Sequence, residues 1–163
     1  MGESSGNRFQ SLALLLLRLY VASVFLKSGA QKLSNWESTL FLFEYEYNVP
    51  LLPPNIAAIL GTGAEIVLPT LLVLGLFTRL TALGLFVFNV VAVMSYAALR
   101  TGDWSLITAF DFLPTGIGFP SKGFEDHVVW GLMLLAIFAF GAGRASLDNW
   151  LQSRGESYAL LIK

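Results

Sequence analysis

Two sets of residues in this chain have the types and spacings to hold a proton or polarise a carbonyl. The first begins with Arg18, Phe25, Gly29 and Lys32, which fall at offsets of seven, eleven and fourteen residues within an apolar run. At about 100° per residue those offsets return to one helix face. Such a face must turn toward protein or water, because an unpaired charge near a bilayer centre costs on the order of 3 kcal/mol. Glu65 stands in the middle of the next apolar run, and Arg18 is its expected partner. Counted from a shared bilayer boundary at about 1.5 Å per residue, Arg18 lies roughly 10 Å deep and Glu65 roughly 18 Å, a gap that an extended guanidinium largely closes. The pair has two readings. It fastens two spans, with Gly29 and Gly61 permitting close approach, or it forms a proton path or the polar wall of a pocket. Lys27, nine residues from Arg18, projects from about the opposite face and can snorkel to water.

The second set gathers at the far end of the apolar runs. Lys32 closes the first run, Arg100 closes the third on a stripe with Asn89 and Tyr96, and Glu125, Asp126 and His127 open the fourth. These would converge beneath the two longer connections. Plainer explanations stand beside that one: Glu125 and Asp126 complement a helix dipole, and His127 and the four tryptophans suit a membrane interface.

The elements that must position these groups are membrane spans. Of the 163 residues 55% are hydrophobic and only 13% charged, and the mean hydropathy is +0.67, against roughly 25% charged residues in an average soluble domain. The fold class expected is all-α, an integral membrane four-helix bundle in a single domain covering residues 1–163. Its spans are expected at about 12–33, 54–77, 80–99 and 124–143. Residues 1–11 read as a disordered polar start, and the first span as a retained span rather than a signal peptide, since Lys27 and Lys32 flank its small residues and further spans follow. Between Ser34 and Pro54, Trp36, Leu40, Phe43 and Tyr47 recur at helical spacing with Glu37 and Glu44 elsewhere around the turn, the pattern of an interfacial helix in the first outer loop. Pro54 suits a first helical turn, and Pro69 predicts a kink one turn beyond Glu65. The connection from Thr101 to Gly123 has no clear period and reads as a lid or partly re-entrant loop. The tail from Arg144 to Lys163 is polar, with room for a short surface helix.

Composition also removes whole classes of chemistry. The chain has no cysteine and one histidine, which excludes thiol relay, iron–sulfur ligation and bis-histidine haem within one chain, and leaves any metal to carboxylates around a single imidazole. No metal, haem or cluster is expected. The basic residues are dispersed and the net charge is −1, so nucleic acid is not an expected partner. Arg8, Arg79, Arg144, Arg154 and Lys163 fall on one side of the bilayer, and most acidic residues on the other. The positive-inside rule therefore places both termini in the cytoplasm, in a multi-pass protein of the bacterial inner membrane.

Three motifs in order carry a family resemblance. Arg18-Leu19, Phe25, Gly29 and Lys32-Leu33 come first, then Glu65 leading to Leu74-Gly75-Leu76-Phe77-Thr78-Arg79, then Gly141-Ala142-Gly143-Arg144-Ala145-Ser146-Leu147-Asp148. Together they resemble the DoxX family, with Ala142 where the family usually has proline. The resemblance implies a four-helix membrane protein acting as a subunit of a quinone-linked oxidoreductase. Relatives are associated with thiosulfate oxidation, with oxidative-stress or thiol-handling membrane complexes, and with enzymes making copper-handling peptides. On that reading Lys32, Arg100 or His127 would polarise a quinone head group and Glu65 or Asp126 would relay protons. Arg18 would support Glu65, and Phe25, Tyr96 and Trp130 would line a slot for the ring. Electrons would come from a bound substrate or from a protein partner on the outer loops. The rival reading is a membrane anchor or scaffold, without catalysis, for a partner enzyme or for a copper or oxidative-stress response system. Transport fits less well, because four spans enclose little volume and would need a homo-oligomer.

Overall fold

The computed structural model of the protein describes residues 2–47, 49, 51–96 and 122–153. Among the described residues six helices follow in order: α1 (Gly2–Ser34), α2 (Trp36–Tyr45), α3 (Pro54–Leu74), α4 (Thr78–Ser95), α5 (Lys122–Phe140) and α6 (Leu147–Ser153). Four of them, α1 from Arg8 onward, α3, α4 and α5, are long and apolar enough to cross a membrane. The chain is a multi-pass membrane protein built as a four-helix bundle. α1 packs on α3 and α5, α4 packs on α3 and α5, and α2 lies on α3.

Buried positions repeat at helical spacing on each span. They are Leu14, Arg18, Val21, Ala22 and Phe25 on α1, Ala57, Ala58, Thr62, Glu65, Pro69 and Leu72 on α3, and Thr78, Thr81, Ala82, Leu85 and Asn89 on α4. Each span thus presents one stripe to its neighbours and leaves residues such as Leu16, Ile59, Val67, Val87 and Leu132 exposed on the other side, which is the arrangement a lipid solvent requires. The central apolar core joins Val21, Phe25, Leu72, Ala82, Leu85, Leu134 and Ile137. Gly29 is a point of close approach between α1 and α3. A Cβ there would lie 2.7 Å from Ile66 Cδ1 and 3.1 Å from Glu65 Cβ, so a larger residue would have to displace the Ile66 side chain.

The ends of the helices follow from local chemistry. α3 starts at Pro54, whose missing N–H is harmless in a first turn, and stops at Gly75, which takes a left-handed φ of 67°. Within α3, Pro69 has no N–H to offer the carbonyl of Glu65 four residues earlier, so the helix ladder has a gap at the level of that carboxylate. α2 is capped by Asn35, whose side chain accepts from the Ser38 amide at 3.0 Å. It is amphipathic as expected, with Phe43 buried against Ala57 and Ala58 of α3 while Glu37 and Glu44 are exposed.

Several helix boundaries differ from the sequence reading. α1 extends back to Gly2, because a helix nucleated by the following apolar run adds a hydrogen bond for each residue it recruits. The second span ends at Leu74 rather than Phe77, since Gly75 terminates it. The short helix expected in the tail is α6. The 101–121 part of the expected lid, Arg100, and the tail beyond Ser153 lie outside the described residues.

Candidate functional site

At the end of the bundle away from α6 and the α3–α4 turn, α1, α2, α3, α4 and α5 surround a cavity of ≈ 430 Å³. Its polar floor is built by α1 and α3. Lys32 Nζ donates to both carboxylate oxygens of Glu65, at 2.7 and 2.6 Å, and to Ser28 Oγ at 2.9 Å; Ser28 in turn donates to Glu65 Oε1 at 3.2 Å. All three ammonium hydrogens are committed, two of them to one carboxylate. The side chains of Lys32 and Glu65 are only 13% and 8% exposed, so this is a desolvated ion pair and not a surface one.

The geometry corrects the expected Arg18–Glu65 pair. A lysine stem on a helix leans toward the N-terminus, which takes Lys32 back past Ser28 to Glu65. Arg18 lies beside Gly75, where an added Cβ would sit 2.6 Å from Arg18 Nη1. Gly75 is ten residues beyond Glu65, or about 15 Å along the helix, too far for the guanidinium to span. Setting the boundary of the first span at Leu12 and of the second at Phe77 leaves a depth difference of only about 8 Å between the two residues. The outer charges also sort differently. Glu125 and Asp126 pair with Lys122 on their own helix, at 3.5 and 2.5 Å, and of that trio His127 alone lines the cavity.

The remaining wall is aromatic. Phe25 meets Trp130 edge to face at 6.0 Å, and Trp130 meets the His127 ring at 4.8 Å. On the opposite side Tyr47 contacts Phe43 at 4.9 Å and Tyr96 at 5.1 Å, where the backbones of the two tyrosines also form an isolated antiparallel bridge. Burial pushes the Tyr47 phenol up from its ordinary range, with Tyr96 and Glu65 adding to the effect. Behind His127, Asn89 donates from its amide to the His127 carbonyl at 2.9 Å, and its Oδ1 lies 2.7 Å from His127 Nδ1. Of the residues singled out from the sequence, Lys32, Glu65, His127, Phe25, Tyr96 and Trp130 therefore share one cavity. Ser28 and Tyr47 were missed, although Ser28 sits one helical turn before Lys32. The contact of Asn89 with His127 depends on the packing of α4 on α5 and has no local signal.

Arg18 belongs to a second assembly at the terminal end. It is fully buried, and its guanidinium donates to the carbonyl oxygens of Ala142 and Ala145, each at 2.6 Å. Next to it Asp148 of α6 accepts from the amides of Phe77 and Thr78, at 2.8 and 2.9 Å, and its own amide donates to the Gly75 carbonyl at 2.9 Å. Asp148 thereby caps the start of α4 from another helix, where Phe77, with a left-handed φ of 48°, offers no side-chain cap. Arg18 of the first motif, Gly75 to Thr78 of the second and Ala142 to Asp148 of the third thus meet as one clasp joining α1, the α3–α4 turn and the α5–α6 connection. Both Nη atoms of Arg18 and both carboxylate oxygens of Asp148 are spent on backbone atoms.

Among the described residues no group of three or more His, Asp or Glu gathers as a metal site would require. No solved structure matches the chain. An uncharacterized protein of Haemophilus influenzae is 29% identical over 144 residues, covering 86% of this chain and 84% of the relative. The DoxX family model matches residues 13–98, a stretch running from the start of the first span through Arg18, the Lys32–Glu65 pair and the α3–α4 turn to the end of the third. On that match, the chain belongs to the DoxX family.

Proposed function

We propose that the cavity is a binding site for a quinone-type head group, and that the protein serves as the membrane subunit of a quinone-linked redox system. The observation that carries this is the combination on one cavity of the charged Lys32–Glu65 floor with an aromatic wall of Phe25 and Trp130. A planar apolar ring with polar oxygens needs both. The volume of ≈ 430 Å³ falls in the range of small-molecule sites, about 300–1,000 Å³. A quinone when bound would supply the electron-accepting chemistry that the side chains of this chain lack.

The chain's own residues then have separable tasks. Lys32 holds two hydrogen bonds to a single carboxylate, so it can give one to an arriving carbonyl oxygen and keep the other. Glu65 anchors the ammonium and is the nearest group able to accept or return a proton. Phe25 and Trp130 orient the ring edge to face. On the positive-inside argument the termini lie in the cytoplasm of a bacterium and the cavity end faces outward, where a partner protein would deliver electrons.

The test is mass-spectrometric and ultraviolet analysis of protein purified into lipid nanodiscs, with empty nanodiscs and the paired Lys32→Met, Glu65→Leu variant as controls. Retention of a quinone near one per protein, lost in the folded double variant, is the expected result. No retention, and no uptake of added short-chain benzoquinone, would overturn the proposal and favour a scaffold role.

A further inference from the structure

Asn89 settles the hydrogen-bonding sense of the cavity's imidazole. The main-chain oxygen of His127 can only accept, so the amide end 2.9 Å from it is Nδ2. The other end, Oδ1, is also an acceptor, and it lies 2.7 Å from His127 Nδ1. Nδ1 must therefore carry the hydrogen, and in the neutral ring the lone pair resides on Nε2. Asn89 is buried at 4% exposure and held in place by packing. Gly131, one turn beyond His127, packs beside that amide, at ordinary contact distance: a Cβ there would stand 3.5 Å from Asn89 Nδ2. His127 lines the cavity and Asn89 does not. Nε2 has no partner among the described residues.

The cavity consequently has two polar poles of opposite sense. The α1–α3 side presents a cation that donates beside the Glu65 carboxylate, and on the α5 side His127, which lines the cavity, has Nε2 as its accepting nitrogen; the hydroxyls of Ser28, Tyr47, Ser95 and Tyr96, which can act in either sense, complete the polar lining. A quinone has carbonyl oxygens alone and leaves the Nε2 acceptor unanswered. A hydroquinone carries hydroxyls, each of which both donates and accepts, and answers both. We infer that Asn89 is a positioning residue that holds His127 as an acceptor, and that the site binds the hydroquinone form more tightly than the quinone. This rests on the reading of the cavity as a quinone-type site. An unanswered hydrogen bond at one pole corresponds to about tenfold in affinity.

The single histidine of the chain makes the test direct. Protein labelled with ¹⁵N-histidine, in nanodiscs at about pH 8 where an ordinary imidazole is neutral, gives one pair of ring resonances. The expected result is a pyrrole-type Nδ1 and a pyridine-type Nε2. The opposite tautomer, or two pyrrole-type nitrogens, overturns the inference with no variant involved. A short-chain benzoquinone and its hydroquinone are then titrated anaerobically, read by tryptophan fluorescence. The hydroquinone should bind about tenfold more tightly in the native protein, and the preference should fall to about twofold or less in a folded Asn89→Leu variant whose tautomers mix. Equal affinities in the native protein refute the ligand preference. Binding of neither form refutes the quinone reading and the preference with it, while the ¹⁵N spectrum still reports the tautomer.

Discussion

Removing the carboxylate of Glu65 should destabilise the bundle far more than removing the ion pair as a whole. Lys32 and Glu65 are 13% and 8% exposed at the side chain and in contact at 2.6 Å, so their attraction at an effective dielectric near 20 is of the order of 5 kcal/mol. Taking each ion out of water costs several kcal/mol, and the complete pair comes out near balance. In Glu65→Gln the ammonium remains in place without its counter-charge, and the loss should be about 3–5 kcal/mol. The low end is favoured because the cavity lets water reach Lys32. Lys32→Met should lose a similar amount through the stranded carboxylate. The double variant Lys32→Met, Glu65→Leu strands neither charge and should lie within about 1 kcal/mol of the native protein. The assay is reversible unfolding by SDS in mixed micelles, followed by tryptophan fluorescence and analysed as a double-mutant cycle. Single variants that each cost less than about 1 kcal/mol would show a water-screened pair of the surface kind and refute the reasoning. A double variant as unstable as the sum of the two singles would refute it as well.

Two further outcomes follow from the terminal clasp and from the cavity mouth. Asp148→Ala strands the amides of Phe77 and Thr78; with charge-assisted bonds at about 1.5–3 kcal/mol each, the loss should be about 3 kcal/mol or more, read as a fall in Tm, with Asp148→Asn recovering part of it. An unchanged Tm in Asp148→Ala would show that the clasp does not hold the α3–α4 turn. Tyr47 should give a late step in an ultraviolet titration, above the ordinary tyrosine range, and Tyr47→Phe should remove that late step. Because the folded state keeps this proton longer than the unfolded chain, the contribution of Tyr47 to stability is whole below about pH 10 and declines as the pH rises further.

What the sequence determined by itself is the set of properties that depend on local order along a helix. Four apolar runs of sufficient length dictate four spans, because a bilayer leaves the backbone no other way to satisfy its hydrogen bonds. The offsets among Arg18, Phe25, Gly29 and Lys32 require a common face, and that face packs inward, with Arg18 and Phe25 buried and Gly29 against Glu65. Pro54 and Gly75 bound α3 for reasons internal to the two residues. The interfacial helix α2 could likewise be read from its period.

Only the tertiary structure decided which charges meet. A partner across two antiparallel spans depends on their relative axial shift, and a shift of a few residues replaces one cation by another a full span-half away. Glu65 therefore meets Lys32, the residue whose stem leans back along α1, and Arg18 is left at the level of Gly75. The same shift brings α6 under the α3–α4 turn, so that Asp148, unremarkable in the sequence beyond its motif, supplies the cap that Phe77 lacks. It also sets Asn89 behind His127, where a hydrogen bond between two spans selects one nitrogen of an imidazole. Helix periodicity fixes the direction in which a side chain points; the level at which it finds a partner is a property of the packed bundle.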